Sequence, residues 1–200
     1  MKNKVLLWDL GNVVVRWSPD EILARLGHSP QISTYLRESL FGHSDWLDLD
    51  RGVTTEAEVA KRLVAESDLS TEEALRVFDV VRDTLTDFDR SIALIEEFAR
   101  GGQSMYVLSN MSQRNADYLR QRPYFQHFQG VVISAEEKLN KPAPELFERV
   151  LTRYNLNPDT VLFIDDTQVN IDAAGALGIQ GVCFRASDDC YAKINQFVRD

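Results

Sequence analysis

Cysteine is scarce in this chain: two in 200 residues, Cys183 and Cys190, without metal-ligand spacing and with no histidine nearby. That excludes a disulfide-stapled secreted scaffold and makes a reducing compartment the natural setting. Long apolar runs are also missing. No stretch approaches the roughly 20 residues of a membrane span, so no membrane partner is expected. Positive charge is short as well. Lys and Arg number 22 against 31 Asp and Glu, a net charge of −9, which argues against a nucleic-acid partner. A protein this acidic that handles phosphate must find local positive charge in a lysine, a metal ion or a helix N-terminus. The basic start followed by apolar residues 5–8 has the beginnings of an export signal, but Asp9 cuts it short and no small-residue cleavage site follows. A cytoplasmic location is the expectation. There is no internal repeat and no low-complexity tract.

What is present is ordinary globular composition, 44% apolar and 26% charged, enough for one core plus a modest accessory lobe. Five short runs predict strands, at residues 4–8, 104–108, 130–133, 160–164 and 181–184. They are aliphatic, β-branched or aromatic throughout rather than alternating, as in strands covered on both faces of a parallel sheet. Helical periodicity fills the gaps between the last four, at 112–121, 142–154 and 169–177, the last ending at Gly178. This alternation predicts an α/β fold, a Rossmann-like parallel sheet in a three-layer α/β/α sandwich. Residues 17–88 break it with helical patterns only, at 19–26, 32–40, 55–66 and 71–85. Thr55 with Glu58 and Ser70 with Glu73 have capping-box spacing. The expected organisation is a core of residues 1–16 and 89–200 carrying a helical cap of residues 17–88, hinged near 16–19 and 86–89.

Ligands of open α/β sheets bind at the carboxyl ends of the strands, so the residues just past each strand define the candidate site. Asp9, Leu10, Gly11 and Asn12 follow the first strand, Ser109 and Asn110 the second, Asp165 and Asp166 the fourth; Lys141 precedes the helix after the third. An ionised Asp can attack phosphorus if positive charge offsets the phosphate. Mg²⁺ asks for oxygen ligands and usually keeps several waters. Asp9 and Asp166 with the Gly11 carbonyl can supply such a set, Lys141 can neutralise nucleophile and phosphate, and Ser109 with nearby backbone N–H groups can donate to phosphate oxygens.

The runs WDLGNVVV at Asp9, VLSN at Ser109, NKPAPELF at Lys141 and FIDDTQVNIDAAGALG at Asp165–Asp166 resemble the four motifs of the haloacid dehalogenase-like hydrolase superfamily, in order and over nearly the whole chain. The helical insert sits where members with a small helical cap carry theirs. The DLGNVVV form, the tripeptide at residues 50–52 and the remaining motifs look closest to the α-D-glucose-1-phosphate phosphatase-like branch. The resemblance implies a Mg²⁺-dependent phosphatase of a small phosphorylated metabolite, a sugar phosphate among the options, working as a monomer or homodimer. Asp9, Ser109 and Lys141 are its catalytic residues. Asn110, Gly11 and Asn12 bind substrate, and Asp9, Gly11, Asp166 and Asp165 serve the metal, Asp165 directly or from behind the first ligands. Asp9 forms an aspartyl-phosphate that water hydrolyses.

Two departures stand out. Where such phosphatases usually carry a second Asp as general acid/base, this chain has Gly11, and His43 or Asp45 of the cap are the substitutes the sequence offers. Lys138 stands where a glycine is usual. Plainer roles compete at several positions: Asp165–Asp166 as a helix cap, Trp17 and Trp46 as packing, and Arg51 in a surface ion pair; Asn170 is expected to orient the site rather than to be a surface residue. Two other functions compete with the whole reading. In a 2-haloacid dehalogenase, Asp9 attacks carbon and needs no metal, so clustered anions gain it nothing. The loss of the acid at Gly11 keeps open a catalytically weak binding or regulatory protein.

Overall fold

The computed structural model describes residues 4–200; the first three positions of the expected core segment lie outside the described residues. Five strands, β1 (Val5–Trp8), β2 (Ser104–Ser109), β3 (Gly130–Ile133), β4 (Val161–Asp165) and β5 (Gln180–Cys183), form one sheet in the order β3-β2-β1-β4-β5, every neighbouring pair parallel. The fold is the α/β Rossmann-like sandwich that the pattern predicts. Because successive side chains point to opposite faces of a strand, β1 divides its four apolar residues between two cores. Leu6 and Trp8 pack with helices α6 (Asp89–Arg100), α7 (Gln113–Leu119) and α11 (Asp188–Arg199). Val5 and Leu7 pack with α9 (Pro144–Arg153) and α10 (Gln168–Ala176). Both faces are therefore dry, which explains the unalternating strand sequences.

The segment between β1 and α6 folds into helices α1 (Pro19–Leu26), α2 (Pro30–Leu36) continuing as a π-helical turn at Arg37–Phe41, α3 (Ser44–Asp50), α4 (Glu56–Glu66) and α5 (Thr71–Thr84). It has an apolar cluster of its own, from Ile22 to Val81, with Leu36, Leu40, Leu63 and Val77 fully buried. Both expected capping boxes form: Thr55 and Glu58 start α4, Ser70 and Glu73 start α5. The two strands of chain leading into and out of this lobe lie side by side. Val15 bridges Asp87, Arg16 N donates to Thr86 O at 2.8 Å and Phe88 N to Val14 O at 2.8 Å.

Some expectations shift. The helix after β3 begins at Pro144 rather than residue 142, since only the second of the two prolines takes an early helical position. Two helices were not foreseen. One is α3, whose Leu47 and Leu49 stand two apart with only Leu49 buried; the other is α11, which closes one face of the sheet. A short turn of helix, α8 (Ser134–Glu137), follows β3 directly. No helix among the described residues is long and apolar enough to cross a membrane.

Candidate active site

The site is built where β1 and β4, neighbours at the centre of the sheet, end side by side. Asp9 continues the ladder one residue past β1, its N–H donating to Ile164 O at 2.9 Å. Asp165 is the last residue of β4 and Asp166 the next. One carboxylate oxygen of each of Asp9, Asp165 and Asp166 lies within 4.8 Å of the others. Such a cluster is untenable without compensation, and Lys141 supplies part of it. Its buried Nζ reaches Asp9 Oδ1 at 2.9 Å and Asp165 Oδ2 at 2.7 Å and donates to Leu108 O at 3.0 Å. Burial lowers the Lys141 pKa, but Asp9 and Asp165 outweigh it, so the ammonium is held charged above its usual range.

The three carboxylates are not equivalent. Asp165 is fully buried and saturated: besides Lys141, it accepts from Thr167 N at 2.8 Å and from Asn170 Nδ2 at 3.0 and 3.1 Å. Asn170 thus orients the site, as its place in the fourth motif suggests. Asp166 is half-buried and accepts only from Asn12 Nδ2 at 3.2 Å and Thr167 Oγ1 at 3.1 Å, leaving lone pairs free. Asp9 accepts its own loop's Leu10 N–H at 2.8 Å. Burial pushes the Asp9 carboxyl up to about 7. Lys141 pulls against the rise, Asp165 adds to it, and the nearby Ser109 hydroxyl lowers it. That hydroxyl is buried beside Asp9 yet makes no hydrogen bond of normal geometry. An orphaned buried donor here is what a phosphate oxygen would satisfy.

Around these groups opens a cavity of about 310 Å³, at the small end of ligand sites. Gly11, Asn12, Asn110, Asn115 and Asn170 line it on the core side, and Trp17, Trp46, Leu47 and Asp50 bring the lobe to it. Asn110, expected as a substrate contact, has both ends of its amide engaged. It donates to Lys141 O at 2.9 Å and accepts from Lys141 N at 2.7 Å, so it fixes the lysine's backbone. Asn12 adopts a left-handed φ of 54° that Asn tolerates. It joins Asp166 to the start of the lobe by also accepting Trp17 N–H at 3.0 Å. At Gly11 a Cβ would meet no other heavy atom within 4 Å, so no crowding accounts for the missing acid.

The expected substitutes for that acid lie elsewhere. His43 is exposed and caps α3 by accepting Asp45 N–H at 3.2 Å, while Asp45 pairs with Arg62. Neither lines the cavity. Arg51 makes the surface ion pair with Asp48 that was its plainer alternative. The carboxyl that sequence reasoning passed over is Asp50, which does line the cavity. Burial pushes it up to about 7, a Ser112 N–H opposing the rise, Asp9 adding to it and Lys141 lowering it. Its only sequence signal is its place in the tripeptide at residues 50–52.

Lys138 also finds an account. Its φ of 59° is left-handed, the conformation for which glycine is favoured, and its Nζ donates to Gly52 O of the lobe at 2.5 Å. Gly52 itself has φ +67°, and a Cβ there would stand 2.5 Å from Ala135 O. Only glycine lets the lobe approach the core this closely. Gly52→Ala is therefore expected to displace the lobe and lower kcat/KM by about 10- to 100-fold; steady-state kinetics with an unchanged value would refute this.

The family profile of haloacid dehalogenase-like hydrolases matches residues 4–178. The chain belongs to that family. It is accordingly a hydrolase. The sesquiterpene phosphatase astK of Aspergillus oryzae is 25% identical over 180 residues, covering 90% of this chain and 88% of its own. A HAD family enzyme of Bacteroides thetaiotaomicron, solved in complex with magnesium and inorganic phosphate, superposes with a TM-score of 0.75 at 22% identity, covering 93% of this chain and 96% of that one. A HAD-like hydrolase of Porphyromonas gingivalis gives 0.81 at 22% identity over both whole chains. At these identities the two structures establish the fold alone.

Proposed function

We propose that this hydrolase is a magnesium-dependent phosphatase that cleaves a small phosphomonoester through an aspartyl-phosphate on Asp9. The observation that carries the reading is three converging carboxylates offset by one buried lysine. Three anions against one cation leave a deficit that a hard divalent ion fits, and the donors are all oxygen, with no histidine or cysteine among them. Asp9 and Asp166, which keep free lone pairs, and the Gly11 carbonyl would hold Mg²⁺, with Asp165 fixing Lys141 and the Asp166 loop from behind. When bound, the ion supplies charge to the phosphate and offsets the charge that develops on transfer. Magnesium in the Bacteroides structure and phosphatase activity in the Aspergillus relative support this reading.

In this mechanism Asp9 attacks phosphorus from the end of β1. Lys141 holds its charge against it and against the phosphate, and Ser109 donates to a phosphate oxygen. The helical lobe is a cap that closes over the site, excludes water before attack and opens at the paired segments about residues 16–19 and 86–89. Core residues 1–16 and 89–200 and cap residues 17–88 are the two parts we assign. The small helical cap and the sequence around Asp9 support placement near the α-D-glucose-1-phosphate phosphatase-like branch. The cavity pairs an apolar wall of Trp17, Trp46 and Leu47 with the Asn115 Oδ1, buried without a partner. A sugar, with apolar faces and hydroxyl donors, suits both. Two free thiols are consistent with a cytoplasmic setting.

The test is phosphate release from p-nitrophenyl phosphate with Mg²⁺ and in chelator, followed by a panel of sugar and prenyl phosphates. Chelation is expected to remove activity by about 100-fold or more. Full phosphate release in chelator would overturn the magnesium dependence, and preference for prenyl over sugar esters would replace the sugar.

A further inference from the structure

The phosphatase chemistry leaves one proton without a source. When the ester P–O bond breaks, its electron pair stays on the leaving oxygen, and an alkoxide is a poor leaving group unless protonated as it departs. Gly11 has no side chain to do this. Among the described residues lining the cavity, three carry carboxyls: Asp9, Asp50 and Asp166. Asp9 is the nucleophile and Asp166 is bound by Asn12 and Thr167 at the metal edge. The other polar lining groups are occupied or unsuited. Lys141 is held by two carboxylates and a carbonyl, Asn110 by Lys141's backbone, Asn170 by Asp165, and Thr167 by Asp166.

Asp50 reaches the cavity from the lobe. It ends α3, and its placement relative to the core is fixed through Ser134. The fully buried Ser134 hydroxyl donates to Asp50 O and accepts Met111 N–H at 2.8 Å, two residues past the strand that carries Ser109. Two further bonds pin the same stretch of lobe, Asn140 Nδ2 to Leu47 O at 2.8 Å and Lys138 Nζ to Gly52 O at 2.5 Å. A carboxyl lining the same cavity as the nucleophile is thus delivered by the lobe and anchored to the core on both sides in sequence.

We propose that Asp50 is the general acid of this enzyme, protonating the leaving-group oxygen from the lobe. The inference rests on the phosphatase reading of the site. Asp9 bonds to phosphorus, the ester P–O bond breaks, and the Asp50 proton passes to the departing oxygen, releasing the alcohol. Water then attacks the phosphorus of the aspartyl-phosphate; the bond to Asp9 breaks and restores its carboxylate, one water proton stays on phosphate and the other returns to Asp50. The Asp50 carboxyl held near pH 7 by burial is suited to both halves.

The test is kcat/KM for p-nitrophenyl, phenyl and benzyl phosphates, a series of rising leaving-group basicity, in wild type, Asp50→Asn and Asp50→Ser; having two variants keeps the comparison readable if one fails to fold. Because kcat/KM reports the steps through release of the first product, it isolates the protonation of the leaving group. Loss is expected to be about 10²- to 10⁴-fold for benzyl phosphate and about tenfold or less for p-nitrophenyl phosphate, whose leaving group needs little help. Adding Gly11→Asp to Asp50→Asn is expected to recover benzyl phosphate turnover, since space for the side chain exists. An equal loss across the three esters, with no recovery, is what a structural or purely binding role predicts and overturns the assignment. No wild-type release from any ester overturns the phosphatase reading itself.

Discussion

Asp9→Asn is expected to lower phosphate release by about 10⁴-fold or more, the scale seen when a covalent nucleophile is removed. The substitution keeps the shape of the side chain and its hydrogen bond from Leu10, so the loss is chemical rather than structural. It should also stabilise the metal-free protein, and the sign follows from burial. Asp9 titrates at about 7 in the folded chain against the ordinary 3.8, so the stability linked to its proton is full below about 4 and is lost as pH rises through about 7. Asn carries no such charge, and the advantage of the variant over wild type should grow between those pH values in denaturant melts run in chelator. A variant less stable than wild type at pH 8 would show that the Asp9–Lys141 pair is worth more than the burial of its charges. Retained turnover would remove Asp9 from the chemistry altogether.

Lys141→Met is the second large effect, and it falls on stability and activity together. The lysine is the shared counter-charge of Asp9 and Asp165, at 2.9 and 2.7 Å. Removing one partner of a buried ion pair typically costs about 3–5 kcal/mol because the remaining charge is left uncompensated. Here two carboxylates are left, one of them fully buried. Asp9, already pushed upward by burial with Lys141 present, can escape by taking up a proton, so the deficit should be smaller in acid than in base. Urea unfolding in chelator at pH 5 and pH 8 measures it, and equal deficits at both would contradict the electrostatic account. Saturating Mg²⁺ is expected to recover part of the stability but not the turnover, since Lys141 also faces the phosphate. Full activity in the folded variant would assign that charge to the metal alone.

Much of this was legible in the sequence because the core is built from strongly local signals. Runs such as Val5–Trp8 are apolar at every position, and only a doubly covered strand tolerates that. The capping boxes at Thr55 and Ser70 formed as spaced. The residues past the strands converged because a parallel sheet places all its carboxyl ends on one edge. What stayed hidden depended on contacts distant in sequence. The chain SDWLDLD carries a pattern with period 2 at Leu47 and Leu49, yet it is helix α3, because Leu49 alone enters the lobe's core while Leu47 stays at the cavity rim. α11 buries Cys190, Tyr191 and Ile194 on a mostly polar segment, and its stripe acquires meaning only against Phe184 and the sheet. Asp50 resembles any acidic residue near a turn until Ser134, far along the chain, holds its backbone at the cavity that Asp9 also lines. Asn110 shows the converse: its position was apparent, but its engagement with Lys141's backbone was not.

The paired crossing at residues 14–16 and 86–88 has a consequence for how such enzymes diversify. Since the outgoing and returning segments are already stitched to each other by Arg16, Phe88 and the Val15–Asp87 bridge, everything beyond them is a loop closed on itself. Lengthening, shortening or swapping what the loop contains outside residues 47–52, which bond to the core, leaves the sheet, its ladder and Asp9, Asp165 and Asp166 untouched. Specificity can thus drift in one module while the nucleophile, its lysine and the carboxylates past β4 stay constant in the other, provided the change spares Asp50.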